Sequence, residues 1–118
     1  MAGGAAWPRR ESADDRVRST ATLTLSEMLV RSPDVATDAH ARQTIKTSLA
    51  DASMDGSYLV RMRAVVGLAR LGDDDAVAIV QALAANDPYR DEMRGGRYIL
   101  REAAAEALET QVPRRRPR

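Results

Sequence analysis

Apolar residues recur along this chain at the helical spacings of three and four, and clusters of Gly, Pro and Asp interrupt the pattern. Val17, Ala21, Leu25 and Met28 form one such stripe and predict a helix over Ala13 to Arg31. Asp14 and Asp15 fall in its first turn, where carboxylates complement the positive end of the helix dipole. Ser32-Pro33-Asp34 ends it, because Pro33 fits only a turn or a helix start. A second helix is predicted over Ala36 to Asp51 on a thin stripe of Ala41, Ile45 and Leu49, with Asp34 or Thr37 as candidate caps.

After the turn Met54-Asp55-Gly56-Ser57 comes the strongest signal, Tyr58 to Leu71. Val60, Ala64, Leu68 and Leu71 form one stripe, and Leu59, Met62 and Val66 a second. A helix apolar on more than one face is buried on more than one side. Gly72 stops it at the C′ position, and the aspartates Asp73, Asp74 and Asp75 cap a fourth helix over Asp74 to Ala85, with Val77, Ile79, Val80 and Leu83 inward. Asn86-Asp87-Pro88 breaks that helix. A polar stretch follows, and then a fifth helix over Tyr98 to Thr110, with Leu100, Ala103, Ala104, Ala107 and Leu108 inward and Glu102, Glu106 and Glu109 outward. No segment alternates with a period of two between hairpin turns, so the expected class is all-α.

The chain also repeats itself. Val17-Arg18-x-x-Ala21, Val60-Arg61-x-x-Ala64 and Leu100-Arg101-x-x-Ala104 align, with offsets of 43 and 40 residues that bring Leu25, Leu68 and Leu108 into register. Such periods belong to two-helix solenoid repeats. The stretch Tyr58 to Asp87 resembles a bacterial HEAT-like (armadillo-type) repeat. The likeness lies in its V-R-x-x-A start, its helix end Leu68-Ala69-Arg70-Leu71-Gly72, the aspartates, and the apolar second helix. It is fair over Tyr98 to Leu108 and weaker over Asp15 to Leu29. The resemblance implies a short α-solenoid of about two and a half HEAT-like hairpins, five main helices in all, with the most apolar hairpin in the middle because it is covered on both sides. The last helix then either caps the stack with its glutamates or finds its missing partner in a second copy, a homodimer through the terminal helix. The organisation read on this basis is an N-terminal arm over 1–12, a helical repeat domain over 13–111 and a basic tail over 112–118. Trp7, in the arm, is expected to pack back on the first helix.

Composition narrows the chemistry. A chain of 118 residues is one domain by length, and with 3% aromatic residues and no Phe its core has to be aliphatic. The absence of Cys removes disulfides, a thiol nucleophile and Cys-ligated zinc. The first residues lack the apolar core of a signal peptide, and no apolar run approaches the ~18 residues of a membrane span, so a cytoplasmic location away from membranes is expected. The net charge of +1 conceals an asymmetry: all seventeen acids lie between Glu11 and Glu109, beside twelve bases, while Arg9, Arg10, Arg114, Arg115, Arg116 and Arg118 lie outside that span.

No reaction is legible. His40, the one histidine, is followed by Ala41, so the His-Glu pairs with which some HEAT-like enzymes hold iron are not matched. Asp73-Asp74-Asp75 lacks the ligand spacing of a calcium loop. Gly95-Gly96, flanked by Arg94 and Arg97, is not a phosphate loop and reads as a hinge or a weak anion site. The hydroxyls lack a base and an orienting acid. No catalytic, cofactor or metal residue is therefore expected, and an enzyme or lyase-like accessory has no residue-level support. The resemblance implies a protein-binding scaffold or adaptor with a concave face built from the second and fourth helices. Its candidate contacts are Arg42, Gln43, Lys46 and Gln81, with Tyr89, Arg90, Arg94 and Arg97 from the segment between the last two helices. The alternative is a nucleic-acid accessory gripping phosphates through Arg9, Arg10, Arg114, Arg115, Arg116 and Arg118, against which stand the acidic body and the lack of an aromatic platform. Arg18, Arg61 and Arg101 are expected to pair with Asp14, Asp15, Asp55 and Asp87, or else to form a phosphate-gripping ladder.

Overall fold

The computed structural model describes residues 13–113; residues 1–12 and 114–118, with Trp7 and the six arginines assigned to nucleic acid, lie outside the described residues. Six α-helices are seen among the described residues: α1 Ala13–Arg31, α2 Pro33–Thr37, α3 Ala39–Ala52, α4 Tyr58–Leu71, α5 Asp74–Asn86 and α6 Ile99–Thr110. A 3₁₀ turn, Glu92–Arg94, lies between α5 and α6. None of the described helices is long and apolar enough to cross a membrane.

The helix ends follow local chemistry. Pro33 sits in the first turn of α2, where its missing N–H costs nothing. Asp38 then leaves the helical conformation, and its carboxylate accepts the Ala41 N–H at 2.9 Å. The single helix expected over Ala36 to Asp51 is therefore two, split by an N-cap that was not among the candidates Asp34 and Thr37. Gly72 ends α4 at φ 71°, and its N–H donates to the Leu68 carbonyl at 3.2 Å. Asp73 caps α5 by accepting the Ala76 N–H at 3.3 Å.

Helix α4 is the centre of the molecule. It buries Val60, Ala64, Val65, Gly67, Leu68, Ala69 and Leu71, and α1, α3, α5 and α6 all pack on it. Ile45 and Leu49 of α3, Val80 of α5 and Leu100 of α6 complete an aliphatic core around Leu68. Each such side chain contributes about 1.5–3 kcal/mol by leaving water.

This arrangement overturns the expected solenoid. The fold is a compact six-helix bundle around one hub, not five helices in a row of tandem hairpins. Helix α1 lies chiefly against α4 and only lightly against α3, its supposed hairpin partner. Helix α5 lies more against α6 than against α4. The physical reason is that α4 is apolar on more than one face: such a helix gathers neighbours on several sides, whatever their order in sequence. With the solenoid go the HEAT-repeat assignment and the bacterial, cytoplasmic and scaffold descriptions that accompanied it. None of them is borne out.

A second correction concerns α1. Only the first half of its expected inward stripe is turned outward: Val17 is 66% exposed and Ala21 is exposed, whereas Leu25 and Met28 are half-buried and pack against the core. The buried face is Asp15, Ser19, Thr22 and Ser26. Small hydroxyl side chains let the two backbones approach closely. A Cβ added at Gly67 of α4 would lie 3.1 Å from the Ser26 Cβ and 2.7 Å from Leu49 Cδ1. The hydroxyls of Thr22 and Ser26 in this seam are hydrogen-bonded. The Thr22 hydroxyl donates to the Arg18 carbonyl at 2.7 Å, and Arg70 donates to the Ser26 hydroxyl at 3.3 Å while its Nε reaches Gln111 at 3.1 Å. Toward the C-terminal end of the described residues, Val112 packs against the core and Pro113 closes on Gly72.

Candidate functional site

Helices α3 and α5 both lean on α4 but touch each other little, and between their C-terminal halves lies an open cleft of about 570 Å³. Ala50 and Met54 line one wall, one helical turn apart, and Ile79, Ala82 and Leu83 line the other. Ile79 and Leu83 sit at the edge of the core, packed against it on one side and open to the cleft on the other. Met54 is 80% exposed.

The base of the cleft is a closed electrostatic unit. Asp87, whose side chain is 1% exposed, accepts Arg61 Nε at 2.7 Å on Oδ1 and Arg61 Nη2 at 3.3 Å on Oδ2. Arg61 Nη1 donates to the Asp55 carbonyl at 2.9 Å. The Tyr89 N–H donates to Asp87 Oδ2 at 3.1 Å, and Arg101 Nε donates to the Asp87 carbonyl at 2.7 Å. Beside it, Arg18 bridges α1 to the turn before α4, donating to Asp55 at 2.8 and 3.0 Å and to Asp15 at 2.6 Å. The Arg18 guanidinium holds the Asp55 carboxyl below the ordinary carboxylate range, and Asp55 with Asp15 raises Arg18 in turn. The three aligned arginines are thus engaged by carboxylates and carbonyls of the inter-helix turns, with Asp14 exposed and outside the network. Asp51, on the rim, is exposed and has no ion-pair partner among the described residues.

Of the residues assigned to a concave face, Gln43, Gln81, Arg90, Arg94 and Arg97 are exposed, and Arg42, Lys46 and Tyr89 are half-buried. Arg42 donates to the Ala36 carbonyl at 3.0 Å and to the Leu71 carbonyl at 3.1 Å, which ties α2 and α3 to the end of α4. Lys46 bridges to Asp75 at 2.7 Å and Asp73 at 3.1 Å and closes the other half of the α3/α5 interval. Asp75 raises the Lys46 ammonium above its usual range, and Lys46 lowers Asp75. Gln43 and Gln81 are exposed on α3 and α5.

Tyr89, Arg90, Arg94 and Arg97 belong to a separate loop beyond the cleft. Tyr89 stacks on Tyr58 with ring centroids 3.9 Å apart. Arg90 Nε donates to the Gly96 carbonyl at 3.0 Å, Arg94 pairs with Asp91 at 3.4 Å, and Arg97 pairs with Glu102. The Asp91 N–H donates to the Arg97 carbonyl at 2.8 Å and closes the loop. Gly95 and Gly96 hold φ of 73° and 76°, a conformation that favours glycine, and a Cβ on Gly96 would run into the Arg90 guanidinium. Both arginines of the suspected anion site already face carboxylates.

The apolar walls were missed as a site, although a signal existed. Ala50 with Met54, and Ile79 with Leu83, are i,i+4 pairs standing beside the buried stripes that Leu49 and Val80 already supply. His40 is exposed, and no group of His, Asp or Glu suited to hold a metal is found among the described residues. Compared with protein-family models, curated proteins and solved structures, the chain matches none.

Proposed function

We propose that this protein works by binding a segment of another protein in the cleft between α3 and α5, not by catalysing a reaction. The supporting observation is the contrast between the cleft's walls and its base. The walls offer solvent-accessible aliphatic surface, while Arg61, Asp87 and Asp55 at the base are occupied by one another and by Arg18. A fixed polar floor under apolar walls suits a helix or extended peptide laid between two helices. The nucleic-acid reading draws no comparable support from the folded body. Residues 13–113 carry twelve bases and sixteen acids, a net charge of 12 − 16 = −4, which repels phosphate.

The test is affinity capture from native lysate with nuclease, across a salt series, using the wild-type chain and Leu83→Asp. A protein that stays bound to wild type through nuclease and moderate salt, and is lost from Leu83→Asp with an unchanged helical CD spectrum, supports this reading. Recovery of nucleic acid alone, falling steeply with salt and indifferent to Leu83, overturns it.

A further inference from the structure

We infer that the segment held by the cleft is a basic amphipathic helix: an aliphatic stripe flanked by Lys or Arg. This rests on the cleft reading above and adds the chemistry of the partner.

The direction of the walls gives the first argument. Arg42, near the start of α3, reaches the Leu71 carbonyl at the end of α4, and Lys46 reaches Asp73 and Asp75 at the start of α5. Helices α3 and α5 therefore run side by side in the same sense, and both C-terminal ends point to the open half of the cleft. Helix C-termini carry partial negative charge, worth most within the last turn. Two of them converge here, and each favours a cation in that place.

The side chains point the same way. The cleft is lined by Asp51, Asp55 and Asp87 against one base, Arg61. Asp55 and Asp87 are engaged by arginines, whereas Asp51 stands on the rim free to pair with an incoming Lys or Arg. The apolar part selects the rest of the ligand. Met54, Ile79 and Leu83 are aliphatic and the lining holds no aromatic ring, so the fitting anchors are Leu, Ile or Met side chains one helical turn apart. An acidic amphipathic helix of the same shape would set its carboxylates against Asp51 and two helix C-termini.

The experiment titrates the full-length chain with two synthetic peptides, each about four turns long. They share one leucine stripe and differ only in carrying Lys or Glu beside it. Binding is read by calorimetry and by amide NMR shifts. The Lys peptide is expected to bind about tenfold more tightly than the Glu peptide at low salt, and to shift Met54, Ile79 and Leu83. Asp51→Lys should weaken it about three- to tenfold, and Leu83→Asp should remove it. Equal affinity for the two peptides overturns the charge preference and leaves the cleft reading standing. Binding of the Lys peptide only after Trp7→Ser overturns the inference by showing that residues 1–12 of the chain itself are the occupant. Concentration-dependent dimers that protect Met54 overturn it in favour of a second copy. Failure of both peptides on a folded, monomeric chain, with or without Trp7, overturns the cleft reading itself.

Discussion

The seam between α1 and α4 and the cleft between α3 and α5 invert the usual expectation. The seam is closed, yet α1 contributes Ser19, Thr22 and Ser26 to it. The cleft is open, yet its walls are Met54, Ile79 and Leu83. Small side chains, not apolar ones, let α1 close on α4. Hydroxyls and a glycine permit near contact between backbones, and Thr22 and Ser26 find hydrogen bonds inside the seam. Between α3 and α5 the larger aliphatic groups stay open to the cleft, and nothing from this chain's described residues fills the space between them.

The comparison can be broken most forcefully at the base of the cleft. Arg61→Met would leave the Asp87 carboxylate buried without its main partner, at a cost of about 3–5 kcal/mol in urea unfolding. A loss below about 1 kcal/mol would show that the pair does not hold the cleft's end together. Next is the seam. Gly67→Val puts a branched side chain where Leu49 Cδ1 stands 2.7 Å from the Cβ position, and overpacking of that kind costs about 1–3 kcal/mol. An unchanged midpoint would mean that Leu49 of α3 and Ser26 of α1 can both yield to the added side chain.

A smaller effect separates the Arg18 bridge from the rest. Asp55 is depressed by Arg18, so its contribution is fully present above the unfolded carboxylate value of about 3.9 and is lost as pH falls through its lower folded value. Asp55→Asn should therefore be less stable than wild type at neutral pH and should converge with it at the acid end of a pH series. Parallel curves throughout would refute the bridge. Least of all, Met54→Ser should leave stability within about 0.5 kcal/mol, because the side chain is exposed, while weakening peptide binding in the cleft.

Much of the local structure was legible. The periodicity placed α1 over Ala13 to Arg31 and α4 over Tyr58 to Leu71, and Gly72 and Asp73 acted at the α4–α5 junction as their chemistry implies. Local rules suffice where a proline, a glycine at positive φ or a capping aspartate acts on its own neighbours. The cap at Asp38 was harder to see, because three aspartate or threonine candidates lie within five residues. The α1 face was misread for a deeper reason. Val17, Ala21, Leu25 and Met28 match the spacing of a buried stripe, and Leu25 and Met28 do pack on the core, but Val17 and Ala21 face out because what fits against Gly67 is Ser26, and that constraint belongs to another helix.

By itself, then, the sequence determined that this protein is all-α, where most helices begin and end, and that its core is aliphatic, since each of these follows from residue type and near-neighbour spacing. Which helices touch, that α4 serves as hub instead of one member of a row, that Asp15 and three hydroxyls are buried, and that a cleft stays open between α3 and α5 were decided by tertiary structure. Those outcomes depend on the closest approach of backbones distant in sequence, a quantity that no stripe on a single helix contains.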